Sequence, residues 1–230
     1  MKIAGLRKLT LLDFPGRVAC VVFTNGCNFR CPFCHNASLV VPKGGHEEIT
    51  EEEFFAFLKK RKGVLDGVVI TGGEPTLAHG LYDFIVAIKA AGYPVKLDTN
   101  GSFPDKLKPL LADGLLDYVA MDIKTVPEHY ERVAGAKVNL DTLRESIDAI
   151  RTSGIPHEFR TTVVKGLHTV DDIVDVAKRL GPDEAYYLQG FVDSGDVLTE
   201  GCEAFSDKEM HEMLDQAKKF CPKCELRGIE

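Results

Sequence analysis

The sequence predicts an α/β fold of parallel strands covered by helices, and we expect a partial (β/α)6 barrel. Apolar strand-like runs alternate with helical patterns along the chain, giving six consecutive strand-then-helix units. The strand runs are almost continuously apolar, which is typical of parallel strands buried on both faces. A doubly wound open sheet is the alternative, because it is built from the same units. Nothing resembling a linker interrupts the pattern. We therefore expect a single domain over 1–230, with a core at about 18–191 and a C-terminal helix and tail at 202–230.

The predicted strands and helices follow from apolar runs and from the residues that begin and end them. The strands are 18–23, 67–71, 94–99, 118–123, 158–164 and 185–191. The helices lie near 50–62, 80–91, 104–113, 139–153, 170–180 and 206–220. Thr50 and Glu53 have the spacing of a capping box, which predicts where the first helix begins. Gly92, Gly154 and Gly181 close three later helices, where a left-handed residue is needed.

Composition excludes several classes of function. The net charge of −7 provides no basic surface for nucleic acid or anionic lipid, so we expect neither partner. No apolar run approaches the roughly 18 residues of a membrane span, and the N-terminus lacks the apolar region of a signal peptide. We therefore expect a cytoplasmic protein. Seven cysteines in that compartment indicate metal binding or redox chemistry rather than disulfides.

Polar and glycine-rich motifs follow the predicted strands. In chain order they are TNGC at 24–27, TGGEPT at 71–76, DTNG at 98–101 and MDIK at 121–124. The fifth strand carries Arg160 and the sixth carries Gln189. In barrels of this class the active site lies at the C-terminal ends of the strands. The pattern therefore predicts that these motifs contribute to one site.

Three cysteines in the first of these loops are spaced as metal ligands. Cys27, Cys31 and Cys34 follow a C-x3-C-x2-C pattern, and the next cysteine is Cys202. Thiolates suit both zinc and iron–sulfur clusters. A structural zinc site would need a fourth ligand, such as His35 or a distant cysteine. A [4Fe–4S] cluster held by three cysteines would instead leave one iron open to an exogenous ligand.

The aromatic Phe33 before the last cysteine makes the pattern specific. C-x3-C-x-aromatic-C resembles the signature of the radical S-adenosylmethionine (SAM) superfamily, and it implies the partial barrel of that type. The resemblance implies that Cys27, Cys31 and Cys34 hold a [4Fe–4S] cluster whose open iron is chelated by SAM. An electron from the cluster then cleaves SAM to methionine and a 5′-deoxyadenosyl radical, so the hard chemistry belongs to the cofactors.

The GGEP motif, Gly72 to Pro75, is similar to the motif of that superfamily that binds the amino group of SAM. Gly72 and Gly73 allow close approach of the backbone to a ligand. Glu74 is expected to pair with an ammonium group. Glycines after a strand also commonly form plain turns, so the motif carries weight only beside the three cysteines.

DTNG, DIK and the CHN after the last cysteine resemble the branch of the superfamily that activates glycyl-radical enzymes. In the related pyruvate formate-lyase activating enzymes, two aspartates and a threonine frame a monovalent cation beside the SAM carboxylate. The resemblance implies this role for Asp98, Thr99 and Asp122, and it places Asn100 among the cofactor-binding residues.

Three further residues are implied in SAM binding by the same resemblance. Lys124 would lie near the ribose, and Arg160 matches an arginine that contacts the SAM carboxylate. Gln189 stands where the branch carries a histidine near the nucleoside. The alternative is structural: Asp122 and Lys124 would form an ion pair that Arg160 supports.

The N-terminal LLDFPGR, residues 11–17, resembles the stand-alone activating proteins of anaerobic ribonucleoside-triphosphate reductase. This implies hydrogen abstraction from a glycine Cα of a partner glycyl-radical enzyme, with an electron donor such as flavodoxin or ferredoxin. A β-turn before the first strand is the simpler explanation of the motif. A radical SAM enzyme with a small-molecule substrate and a non-catalytic electron-transfer protein remain the alternatives. The short chain after Gln189 favours an open face suited to a protein loop.

The other cysteines and histidines have weaker signals. Cys20 is expected in the core. Cys202, Cys221 and Cys224 either hold a second metal or close the fold, since a single C-x2-C pair decides neither. Histidines outside the cysteine loop, His168 among them, are expected to be solvated.

Overall fold

The computed structural model describes residues 1–41, 48–193 and 195–229 of the chain. The chain divides into two compact units. The first unit comprises Met1–Asn28, Ser38–Ala120 and Asp141–Pro156, and the second comprises Phe29–Ala37, Met121–Leu140 and His157–Glu230. The single domain expected from the sequence stays a prediction.

The sheet of the first unit is built from β1 (Gly5–Thr10), β2 (Ala19–Thr24), β3 (Gly67–Gly72) and β4 (Val95–Thr99) in that order. The first strand is antiparallel to β2, whereas β2, β3 and β4 are parallel. Parallel pairing aligns the C-terminal ends of β2, β3 and β4, so the loops that follow them leave the same edge of the sheet.

The second unit contains β6 (His157–Val163), β7 (Tyr186–Gly190) and β8 (Cys224–Arg227), which pair in parallel in that order. The residues of β5 (Tyr118–Asp122) are divided between the two units. Helices occupy the connections in both units. They are α1 (Ala37–Val40), α2 (Glu51–Lys60), α3 (Leu81–Ala90), α4 (Pro104–Ala112), α5 (Tyr130–Ala134), α6 (Leu140–Thr152), α7 (Val170–Leu180) and α8 (Asp207–Ala217).

Helix ends follow local sequence rules. The capping box of Thr50 and Glu53 is formed at α2, and equivalent boxes begin α7 at Thr169 and α8 at Ser206. In each box the hydroxyl accepts from a backbone N–H that has no partner in the helix. Gly92, Gly154 and Gly181, which were predicted to close α3, α6 and α7, all have positive φ. Gly181 differs from the predicted left-handed conformation, since it combines a φ of 85° with an extended ψ of −176°.

The cores of the strands are aliphatic and aromatic. In the first unit Phe14, Ala19, Val21 and Val69 form one buried cluster. The outer layer of that unit includes α2 and α3, which meet through Phe54 and Phe84, with ring centroids 5.2 Å apart. Burial of side chains of this size contributes about 2 kcal/mol each.

The predicted fold class is confirmed at the level of its elements. Each of the six predicted strands and six predicted helices is present, with ends within about three residues of the expectation. The elements that sequence patterning missed are β1, β8, α1 and α5. The helices α1 and α5 are four and five residues long, which is too short for helical periodicity to emerge, and β1 and β8 lack the continuous apolar run of the other strands.

Candidate functional site

The loop after β3 packs backbone against backbone with the loop after β2. Gly73 N donates to Thr24 O at 3.0 Å, and Glu74 N donates to Gly26 O at 2.7 Å. A Cβ placed on Gly73 would lie 2.0 Å from Gly26 O. The glycine is therefore required by the approach of this chain's own backbone, before any ligand is considered.

The carboxylate of Glu74 is buried, with 1% of the residue exposed, and it accepts four hydrogen bonds from the chain. Thr76 donates from both its N–H and its hydroxyl, Thr99 Oγ1 lies 2.8 Å from Oε1, and Asn100 N lies 2.6 Å from Oε2. Burial raises the pKa of Glu74, and the four donors oppose that rise. The carboxylate joins the loops after β3 and β4. The pairing with an ammonium group that the sequence predicted for Glu74 stays a prediction.

Asn100 links the loop after β4 to the first cysteine. Its Nδ2 lies 3.8 Å from Cys27 Sγ and 2.9 Å from Asn28 Oδ1. Its Oδ1 accepts from Ser102 N at 2.9 Å, which holds the turn that follows the strand. Ser146 Oγ in α6 donates to Gly101 O at 2.7 Å, so the same turn is also held from a helix.

A buried lysine beside Asp98 was not anticipated from the sequence. Lys96 is 2% exposed, with Nζ 3.4 Å from Asp98 Oδ1. The same Nζ donates to the backbone oxygen of Asp13 at 2.6 Å and lies 5.4 Å from the centre of the Tyr118 ring. Lys96 thus ties the LLDFPGR segment to β4. The turn predicted in that segment is present, with Arg17 N donating to Phe14 O.

In the second unit, Asp122, Lys124 and Arg160 form a charge cluster. Arg160 Nε lies 2.9 Å from Asp122 Oδ1, and Lys124 Nζ lies 3.1 Å from Asp122 Oδ2. Burial would raise the pKa of Asp122, but the guanidinium and ammonium outweigh it and hold that pKa well below its usual range. Asp122 in turn raises the pKa of Lys124 above its usual value, against the effect of burial. The ion pair considered as the structural alternative is therefore formed.

The cluster continues through two side chains that sequence reasoning missed. Glu158 is fully buried, and Arg227 contacts both of its carboxylate oxygens, at 2.8 and 3.0 Å. Arg160 Nη1 lies 3.8 Å from the same carboxylate. Arg227 also lies 3.9 Å above the Tyr187 ring and is paired with Gln189 in the register of β7 and β8. Alternation of charged and apolar residues in EFRTTVV and CELRG is the signal that points to these positions.

The part of the cysteine loop that belongs to the second unit, Phe29–Ala37, is held at several points. Cys34 N donates to Cys31 O at 3.0 Å, and Thr199 N donates to Pro32 O at 2.9 Å. Gly135, with φ of +62°, lies against this segment, where an added Cβ would be 2.1 Å from Arg30 O. Cys31 is buried, whereas Cys34 in this unit and Cys27 in the first unit are partly exposed.

The aromatic residue of the motif packs on a buried histidine. Phe33 is 3% exposed and meets His168 edge-to-face, with ring centroids 6.2 Å apart. His168 is itself 3% exposed, and its Nε2 lies 2.7 Å from Lys124 O. The expectation that this histidine is solvated was wrong. Its ring fills the space between two backbone segments, and burial lowers its pKa.

The C-terminal cysteines resemble core residues. Cys221 and Cys224 are fully buried free thiols, and burial raises the pKa of Cys224 to about 12. Cys202 contacts Thr199 O through its sulfur at 3.6 Å. Among residues 1–41, 48–193 and 195–229, no group of three or more His, Cys, Asp or Glu side chains is arranged to hold a single metal ion. The two alternatives for these cysteines, a second metal or closure of the fold, stay predictions.

The chemistry of the motif cysteines fits an iron–sulfur cluster. Cys27, Cys31 and Cys34 supply three thiolates, and thiolates are the ligands of iron–sulfur clusters. In a [4Fe–4S] cluster each thiolate binds a different iron atom, so three cysteines leave one iron for another ligand.

Comparison with known proteins decides the family. Residues 21–181 match the family described as the Radical SAM superfamily. The chain belongs to the radical SAM superfamily. Its cofactors are accordingly a [4Fe–4S] cluster and SAM, and it is an enzyme. In the described part of the chain no helix is long and apolar enough to cross a membrane.

Relatives and structures refine this placement. A Methanocaldococcus jannaschii protein with the provisional name glycyl-radical enzyme activating enzyme is 31% identical over 99% of this chain and 96% of its own. A Thermococcus kodakarensis protein with the provisional name GTP 3′,8-cyclase is 31% identical over 70% of this chain but only 53% of its own. Streptococcus suis SuiB bound to S-adenosylmethionine matches with a TM-score of 0.70 and 12% identity, over 90% of this chain and 50% of SuiB. The chain thus spans about half of the last two proteins. The predicted fold class, the partial (β/α)6 barrel of the radical SAM type, is confirmed.

Proposed function

We propose that this radical SAM enzyme is an activase that abstracts hydrogen from a glycine Cα of a partner glycyl-radical enzyme, with anaerobic ribonucleoside-triphosphate reductase as the partner. One observation carries the proposal: the similarity to the M. jannaschii protein extends over both chains almost from end to end. A relative that shares the catalytic core alone would leave the substrate class open, whereas one of matching extent shares the target-facing parts as well.

We infer that Cys27, Cys31 and Cys34 hold the cluster, on the strength of their spacing and of the affinity of thiolates for iron–sulfur clusters. The bound cluster supplies the electron that cleaves SAM reductively and so yields the 5′-deoxyadenosyl radical. Phe33 is buried against His168, and this packing stiffens the loop between the second and third ligands. A stiff loop holds its thiolates ready for the cluster and reduces the conformational entropy lost on assembly.

The charged side chains supply a site for a zwitterionic ligand. Arg160 and Lys124 are two positively charged side chains that share the single carboxylate of Asp122. They therefore supply cationic donors for a SAM carboxylate or ribose hydroxyl. In the first unit, Asp98 and Thr99 supply oxygen atoms of the kind that a monovalent cation prefers. The other residues that we assign to cofactor binding are Gly72, Gly73, Glu74, Phe33, Asn100 and Gln189.

A small-molecule radical SAM enzyme is the second candidate, because relatives named GTP 3′,8-cyclase match 70% of this chain. This chain spans only about half of such a relative. The part that this chain does not match is available to those proteins for recognising their substrate. The activase proposal needs no such part, since its substrate is a loop presented by another protein.

The decisive experiment reconstitutes the protein with iron and sulfide without oxygen and combines it with SAM, reduced flavodoxin and purified anaerobic ribonucleotide reductase. We expect 5′-deoxyadenosine to form and a glycyl radical EPR signal to appear on the reductase. A reductase whose target glycine is replaced by alanine is the control, and it should give no signal. Cleavage of SAM with no radical on this or any other glycyl-radical enzyme would refute the activase proposal while leaving the radical SAM chemistry intact.

A further inference from the structure

We propose that Asn100 is a positioning residue that sets the reduction potential of the cluster by donating a hydrogen bond to the sulfur of Cys27, and that Glu74 holds Asn100 in place. The inference rests on the proposed role of Cys27 as a cluster ligand. It does not depend on which protein or molecule the radical attacks.

The orientation of the Asn100 carboxamide is determined on both sides. Its oxygen accepts from Ser102 N at 2.9 Å, so the nitrogen must face the other way. That nitrogen has two hydrogens and two acceptors, Asn28 Oδ1 at 2.9 Å and Cys27 Sγ at 3.8 Å. Asn100 is 5% exposed, so water does not compete strongly for these contacts.

Glu74 determines where Asn100 lies. Its Oε2 accepts from Asn100 N at 2.6 Å, while its own N–H donates to Gly26 O at 2.7 Å, one residue before Cys27. Hydrogen bonds therefore run from Gly26 to Glu74, from Glu74 to Asn100, and from Asn100 to Cys27, the residue after Gly26. The cysteine is therefore held from two directions by the loops after β3 and β4, and moving Glu74 displaces the donor to its sulfur.

The chemical consequence concerns the electron supplied to SAM. A hydrogen bond to a ligating sulfur draws electron density from the thiolate and stabilises the reduced cluster, so it raises the reduction potential. An amide N–H that is fixed by three other hydrogen bonds acts on every turnover without rearrangement. The geometry thus couples the DTNG motif to the cluster as well as to the predicted cation site.

The first test is the midpoint potential of the reconstituted protein, measured by redox-poised EPR without SAM or partner. Asn100→Ser keeps a side-chain acceptor for Ser102 N but is too short to reach Cys27. We expect its ratio of reduced to oxidised cluster at a fixed poise to fall about threefold to tenfold, a lowering of roughly 30 to 60 mV for one electron. Asn28→Ala is the matched control, because it removes the other acceptor of the same amide and leaves the donor. A potential equal to wild type in Asn100→Ser would overturn the proposal.

The second test addresses Glu74 through a double-mutant cycle. Glu74→Gln changes a buried acidic group as well as the acceptor of Asn100 N, so its own shift mixes an effect of charge with the effect on the donor. The test is therefore the coupling: Asn100→Ser should lower the potential less in the Glu74→Gln background than in wild type, because both substitutions act on one hydrogen bond. Additive shifts would contradict the link. If Asn100→Ser assembles no cluster, Asn100→Asp decides, since it keeps the size and the Ser102 contact but loses the donor. An unchanged potential in that variant would also refute the inference.

The outcomes separate this inference from the activase proposal. A lowered potential in Asn100→Ser together with no glycyl radical on any partner would support the inference and defeat the activase. Wild-type radical transfer with an unchanged potential would do the reverse. A chain that binds zinc and takes up no iron would defeat both.

Discussion

Individual side chains in this protein show how charge is buried at low cost. Lys96 and Glu158 are almost fully buried, and each contacts oppositely charged or strongly polar groups within its own unit. An isolated buried charge would cost several kcal/mol, so the partners must be supplied by the fold. The sequence does not predict that Lys96 and Glu158 lie next to the site residues.

Removing one partner of Glu158 should be destabilising. We expect Arg227→Ala to lower the free energy of unfolding by about 2 kcal/mol, below the value for a fully buried pair because Arg227 is one-third exposed. Urea denaturation of the wild type and the variant measures the difference. Arg179→Ala is the control, because its contact with Glu128 is a surface pair with half-exposed partners; it should change stability by less than about 0.5 kcal/mol.

Gly73 is limited by space rather than by backbone conformation. We expect Gly73→Ala to destabilise the protein by about 3 kcal/mol or more, since its Cβ would strike Gly26 O and the two backbones must separate. Gly5→Ala is the matched control. Its Cβ meets only Phe23 at an ordinary 3.7 Å, so stability should hardly change. Equal melting temperatures for the two variants would argue against the backbone contact.

Helix ends account for several of the pKa shifts on the surface. At the start of α8, Ser206 and Glu209 satisfy each other's backbone N–H groups, and Lys165 adds a second contact to the carboxylate. These hydrogen bonds lower the pKa of Glu209 to about 2 from its ordinary 4.5. The carboxylate is therefore better stabilised in the folded than in the unfolded chain.

The sign of the resulting pH dependence follows from that lowering. Glu209 contributes stability that is fully present above about pH 5 and is lost as the pH falls from 4.5 towards 2. Glu209→Gln lacks the titrating group, so the difference in unfolding free energy between wild type and variant should shrink over this range. Denaturant titrations at several pH values measure it. A difference that stays constant from pH 7 to pH 3 would show that the contribution of Glu209 to the free energy of unfolding does not depend on its charge.

Of the seven cysteines in the sequence, our proposal assigns three to the cluster and leaves four others. We expect the reconstituted protein to bind about four irons, and Cys31→Ala to lose the cluster, as measured by iron and sulfide content. Cys202→Ser should retain wild-type iron, because its sulfur contacts only a backbone oxygen among the contacts described for it. Loss of iron in Cys202→Ser would reveal an auxiliary cluster that the C-terminal region supports.

Much of the fold was predictable because its signals are local. Apolar runs, capping boxes and closing glycines involve residues close in sequence, so strands such as β3 and helices such as α7 were found with nearly correct ends. The short β1 and β8 were not found. Their pairing depends on β2 and β7, and neither segment has the continuous apolar run of the other strands.

The candidate site divides in the same way. The C-x3-C-x2-C, GGEP and DTNG patterns indicated, by resemblance, the radical SAM superfamily, its two cofactors and the residues that could serve them, and the family match over residues 21–181 shows the family. Only the tertiary structure decided which side chains contact one another. It buried the Glu74 carboxylate among donors of its own chain, brought Lys96 and Arg227 to the charged residues, and buried His168 beneath Phe33. The physical reason is that burial and hydrogen bonding depend on contacts between strands far apart in sequence, and no local pattern encodes them.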